Sequence, residues 1–142
     1  MKKSINIVLI LLLMAAVCLS LNACGSRVED NGLWGNATYT EDTEFGTGAK
    51  TVVVEVKAED KSVTFKINTD KENLGEALSE HNLIAGEKGP YGLYVKVVNG
   101  ITADYDINQS YWAFTKNGES MLSGVDGAEI IGGEHYELVY TK

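Results

Sequence analysis

The chain reads as a small α+β domain, β-grasp-like, with one helix packed on a mixed sheet of four to five strands in the order β-β-α-β-β-β. Three observations lead there. From Lys50 onward, apolar residues alternate with polar ones at the two-residue period of a half-buried strand. One segment, beginning near Leu74, switches to the helical period. Asn99-Gly100 and Asn117-Gly118 sit between β-rich runs, where both residues tolerate the positive φ of a type I′ hairpin turn. A lone sheet would leave one apolar face wet, and a helix laid across it removes that cost.

The first residues are different material. Met1-Lys2-Lys3-Ser4 is followed by an apolar run from Ile5 to Leu19 broken only by Asn6, the pattern of a secretory signal. An anchor helix needs about 20 apolar residues, a length this run nearly reaches. Leu21-Asn22-Ala23-Cys24 decides between them, because it resembles the lipobox of bacterial lipoproteins. That resemblance implies a lipoprotein signal peptide over residues 1–23, with Cys24 as the first mature residue and bearer of the acyl chains. The expected location is the cell membrane, lipid-anchored on its extracytoplasmic side. Cys18 leaves with the signal, so the mature chain has no cysteine pair for a disulfide.

Removal of the signal takes away Lys2 and Lys3 and no acid, so the net charge falls from -8 to -10. A surface this acidic repels phosphate backbones, and no nucleic acid partner is expected. Residues 24–48 are rich in Gly, Ser, Thr, Asn and acids without a sustained period. They read as a flexible tether reaching about 25–30 Å, with Trp34 and Tyr39 as scattered aromatics. The folded domain is then 49–142, enough for one modest core.

Within it, Val52, Val54 and Val56 alternate along one strand, Glu59-Asp60-Lys61 turns, and Val63, Phe65 and Ile67 alternate along the next. Thr69 followed by Glu72 looks like a capping box, and Leu74, Ala77, Leu78 and His81 form one helical face. Gly75 costs about 1 kcal/mol against Ala inside a helix, a cost that close approach to the sheet would explain. Ala85 to Pro90 reads as a Gly-rich loop, Tyr91 to Val98 as a strand, Ser110 to Lys116 as another, and Tyr136 to Thr141 as the last.

Few residues suggest catalysis. His81 lies on the helix's apolar stripe and His135 opens the last strand, both commonly structural positions. No serine stands in a nucleophile elbow, and no Gly-rich run matches a phosphate loop. The chain is not expected to be an enzyme, and no cofactor is required. Asp104, Asp106 and Asn108 alternate as calcium ligands do, but Gln109 and Thr115 replace the turn Gly and the bidentate Glu of an EF-hand. Turn chemistry explains the same residues.

The aromatics are more informative. Tyr91, Tyr94, Tyr105, Tyr111, Trp112 and Phe114 crowd into two strands and their connection. Alternation puts Tyr111 on one face and Trp112 with Phe114 on the other. Rings with polar tips suit a large ligand that is apolar on one face and hydrogen-bonding at its rim, although strands also favour aromatics for packing alone.

The run from Tyr91-Gly92-Leu93-Tyr94 to Asn99-Gly100, then Tyr111-Trp112-Ala113-Phe114, then Gly124-Val125, resembles the bacterial transcobalamin-like C-terminal domain family. It is similar, more distantly, to the β-domain of transcobalamin and intrinsic factor. The resemblance spans roughly residues 50–141 and implies a β-grasp-like fold with cobalamin or a related corrinoid as ligand. The six aromatics are then the binding residues, and a membrane uptake transporter is the implied partner. The resemblance does not extend to the helical barrel that covers the ligand's other face in the vitamin carriers, so that face is expected to be covered by another component. A second class stays open: a cell-surface protein- or glycan-interaction module with no small-molecule ligand.

Overall fold

The computed structural model describes residues 32–142. The signal expected over 1–23 and the lipidation expected at Cys24 fall on residues outside these. Gly32–Asn36 forms a 3-10 turn, and its buried Trp34 donates the indole N–H to the Ala58 carbonyl at 2.8 Å. Strand β1 (Thr43–Phe45) follows, then β2 (Lys50–Ala58) and β3 (Lys61–Thr69), joined by a tight turn in which Glu59 adopts φ 57°. β2 and β3 pair antiparallel with Val52 opposite Ile67, Val54 opposite Phe65 and Val56 opposite Val63, and β1 adds to β3 in parallel.

The tether expected over 24–48 is therefore corrected for residues 32–48, which belong to the folded domain. Tyr39 and Phe45 meet edge-on at 5.3 Å, and each packs edge-on against Phe65 at 5.7 Å. Fully buried Asn99 exchanges two hydrogen bonds with the Tyr39 backbone. Three aromatics spaced through polar sequence make no period, yet each finds a place in the core.

Helix α1 (Leu74–Glu80) buries Leu74, Ala77 and Leu78. Its cap is not Thr69, which ends β3 opposite Lys50; the Asn73 side chain instead accepts the Glu76 N–H at 2.9 Å. His81 follows the helix and stacks on Phe45 at 5.0 Å. The expected loop at 85–90 is mostly strand: β4 (Ile84–Gly89) pairs antiparallel with β5 (Gly92–Val98). From Ala85 to Gly89 its residues are exposed, so no buried face printed an alternation into the sequence.

The Asn-Gly turns form as expected. Asn99 and Gly100, at φ 51° and 80°, lead into β6 (Ile101–Thr102). A short helix α2 (Tyr105–Asn108) precedes β7 (Tyr111–Lys116), and Asn117-Gly118 turns it into β8 (Glu119–Ser120). A 3-10 turn at Val125–Gly127 precedes β9 (His135–Thr141).

The α+β class stands, but a single sheet of four to five strands does not. A six-stranded mixed sheet runs β1-β3-β2-β9-β7-β8, and a separate three-stranded sheet runs β4-β5-β6. The short strands β1, β6 and β8, and the exposed β4, account for the excess. The core lies between: Val54, Phe65, Tyr136 and Leu138 face Leu74, Leu78, Val98 and Ile101. Among the described residues no helix is long and apolar enough to cross a membrane.

Candidate ligand groove

β7 pairs with β9 along its whole length but with β8 only at Thr115 and Lys116. β5 likewise pairs with β6 only at Val97 and Val98. Each strand thus keeps a stretch without a neighbour on one side, and a groove opens where those stretches approach. Leu93, Tyr94 and Val95 form one wall, Trp112, Phe114 and Leu138 the other, and Gly124 with Val125 closes one side, around a volume of about 130 Å³.

The registers explain which rings reach it. Trp112 stands opposite Tyr140 and Phe114 opposite Leu138, all on the core face of the sheet. The Trp112 and Tyr140 rings meet edge-on at 5.7 Å, and Phe114 stacks on Tyr136 at 5.4 Å. Trp112 is only 7% exposed, and its indole Nε1 is buried without a hydrogen-bond partner among the described residues. Trp34, the other tryptophan, has its indole N–H satisfied.

Asp126 holds the Val125 side in place. Its carboxylate accepts the Leu93 N–H at 2.9 Å, tying the 3-10 turn to the start of β5. The same carboxylate leans on α1, where a Cβ at Gly75 would stand 2.0 Å from Oδ1. Gly75 thus makes room for a carboxylate rather than for the sheet.

Of the six aromatics predicted to bind, Tyr94, Trp112 and Phe114 come together here. Tyr91 does not; it is 98% exposed on the turn between β4 and β5. Tyr105 on α2 and Tyr111 at the start of β7 also lie outside the groove lining, both exposed. Tyr111 and Trp112 do fall on opposite faces, as alternation required. Leu93, Val95 and Leu138 were not singled out from sequence because an aliphatic residue in a strand looks like core. Gly124-Val125 was visible only through the family pattern.

The alternating oxygens of Asp104 to Asn108 serve the turn, as the turn reading of these residues expects. Asp104 accepts the Asp106 N–H at 3.0 Å, the Asn108 side-chain oxygen takes both the N–H and the hydroxyl of Ser110, and Gln109 adopts φ 61°. Among the described residues no three His, Cys, Asp or Glu side chains are grouped as a metal centre needs. On the outer face of β9, burial pushes the Glu137 carboxyl up, but the Thr115 hydroxyl and the Gly118 N–H outweigh it and hold its pKa below the usual value. His135 Nε2 stands 3.7 Å from Glu55, an ion-pair distance too long for a hydrogen bond.

Residues 72–142 match the family model described as a domain of unknown function (DUF4430). A crystal structure of a candidate metal-binding protein from Ruminococcus gnavus ATCC 29149 is 35% identical, with a TM-score of 0.62, over 66% of this chain and 97% of that one. Haptocorrin in complex with Cbi shares the fold at 18% identity and a TM-score of 0.50, over 69% of this chain and 26% of the haptocorrin chain. No curated protein matches.

Proposed function

The chain belongs to the DUF4430 family, and from that premise we propose that it is a lipid-anchored surface protein that captures cobalamin or a related corrinoid for uptake. Cys24 is the anchor. The Trp112 groove takes an edge of the ligand, which is bound and not transformed.

One observation carries this reading. A buried N–H left unpaired costs roughly 1–3 kcal/mol, and a ligand acceptor that displaced the groups covering Trp112 Nε1 would recover it. Tyr94 and Phe114 beside it offer ring surface to the ligand's apolar part. The fold shared with haptocorrin agrees with the reading. Size sets its limit: about 130 Å³ lies below the roughly 300–1,000 Å³ of a pocket that encloses a drug-sized molecule. Most of a corrinoid would stay outside the groove, so its other face falls to a second protein, such as a membrane uptake component.

The test is a thermal scan of the purified protein with cobalamin and with cobinamide. Ligand at 100 times its dissociation constant stabilises by about 2.7 kcal/mol, a shift of roughly 10 °C for a domain of this size. Absence of any shift at millimolar ligand would overturn the corrinoid reading. It would favour a protein- or glycan-interaction module, for which the nearly full exposure of Tyr91 and Leu122 is the relevant observation.

A further inference from the structure

The strand registers define two poles. β2 ends at Ala58, and the parallel strand β9 ends beside it, with Lys57 opposite Val139. β7, antiparallel to β9, begins at the same pole, with Tyr111 opposite Thr141. The chain also joins the domain there: Trp34 bonds to Ala58, and a Cβ at Gly32 would stand 2.8 Å from the Glu59 carboxylate. At the far pole, the Gly133 N–H bonds to Thr51, at the beginning of β2.

Large apolar side chains gather where the chain joins. Ile107 is 82% exposed, Tyr105 58% and Tyr111 42%, and the hydrogen-bonded turn of Asp104, Asn108 and Ser110 presents them. The turns of this pole carry Glu59, Asp60, Asp104 and Asp106 against Lys61 and Lys142, so the apolar side chains and not charge would have to supply any attraction to a surface.

We infer that this pole rests on the lipid surface, with Tyr105, Ile107 and Tyr111 in the headgroup interface, so that the domain is oriented as well as tethered; the inference rests on the lipid anchor proposed at Cys24. Only residues 25–31 separate Cys24 from Gly32, and even a fully extended chain of that length spans at most about 28 Å. β2 alone is about 30 Å long, so the far pole stands a whole strand further from the anchor point. Tyrosine suits the interface because its ring is apolar and its hydroxyl stays hydrated, and Ile107 adds an aliphatic side chain beside it.

The experiment uses the lipidated mature protein, residues 24–142, in protein-free phosphatidylcholine vesicles that contain a nitroxide-labelled lipid. Ile107→Cys and, at the far pole, Ile131→Cys each receive an environment-sensitive fluorophore; these two isoleucines are similarly exposed, at 82% and 76%. Quenching should be several-fold stronger at 107 than at 131, and adding Tyr105→Ser and Tyr111→Ser should reduce it. Equal quenching at both positions, with Cys24 acylation confirmed by the mass of the N-terminal peptide, would overturn the orientation and leave the anchor standing. An unacylated Cys24 would overturn both.

Discussion

Trp112→Phe separates a ligand-facing tryptophan from an ordinary core one. The substitution keeps an aromatic ring on the core face and deletes the indole N–H, which is buried without a partner. Two terms oppose each other in the ligand-free domain. The smaller ring leaves a void of about 40 Å³, costing about 1 kcal/mol at the slope seen for core cavities. Deleting an unpaired buried donor returns roughly 1–3 kcal/mol. The variant should therefore be as stable as the parent or more stable by up to about 2 kcal/mol. Trp34→Phe is the internal control, because there the N–H is bonded to Ala58. It opens a similar void and also strands the Ala58 carbonyl, so it should cost about 2–4 kcal/mol. With ligand the order reverses. Trp112→Phe should weaken corrinoid binding about tenfold, the loss of one hydrogen bond, and Trp34→Phe should leave it unchanged. Urea unfolding and a ligand titration of both variants give all four numbers. If Trp112→Phe costs as much stability as Trp34→Phe and binding is unaffected, the groove is not the binding site.

Four further outcomes follow from the fold and the proposed anchor. A chain starting at Lys50 loses buried Trp34, at roughly 1.5–3 kcal/mol, and the partly buried Tyr39 and Phe45, at less for each, so its thermal midpoint should drop by more than 10 °C. Glu137 has a pKa below its ordinary 4.5 in the folded state, so the fold favours its ionised form; that stability is complete above the unfolded-state value and is lost as pH falls through the lower folded one. Urea midpoints below pH 4.5 should therefore fall less steeply for Glu137→Gln than for the parent. Gly75→Ala should destabilise by about 1–3 kcal/mol despite alanine's better helix propensity, because the new Cβ displaces Asp126 from Leu93; most of that cost should vanish in an Asp126→Ala background, read as a double-mutant cycle. Cys24→Ala should move the protein from the membrane to the soluble fraction on cell fractionation; continued processing and membrane retention would refute the anchor.

The long periodic strands were legible because burial on one face is written into alternate residues. Val52 to Val56 and Val63 to Ile67 keep that alternation in the structure, and exposed Tyr111 beside buried Trp112 begins it in β7. β4 was not legible, since its side chains from Ala85 to Gly89 are exposed and only its backbone is used. β1 and the Trp34 turn escaped for a different reason. Their apolar residues are single anchors set among polar ones, and the partners that bury them, Phe65 and Ala58, lie in other strands. The site was half legible. Sequence marked the aromatics, but the free stretches of β5 and β7 that open the groove depend on how short β6 and β8 are, which no local period encodes.

The proposed groove and the join between the chain's start and the domain are divided along the chain. Every groove wall, from Leu93 to Leu138, lies inside the family-matched segment 72–142, as do Tyr105, Ile107 and Tyr111. The residues that lock the incoming chain to the domain, Trp34, Tyr39 and Phe45, all precede it, with β2 and β3. The two parts meet along β2 and β9, whose parallel register from Val53 with His135 to Lys57 with Val139 fixes where the chain joins relative to Trp112. Loosening the Trp34 contact should therefore change stability and orientation, because it frees the join without moving a groove wall. The affinity of the groove should respond to Trp112 and to the Asp126 contact that holds its side closed. A substitution in one part that shifted the other's readout would mean that β2 and β9 transmit strain between them, and their uninterrupted pairing gives no sign of a weak point where that could begin.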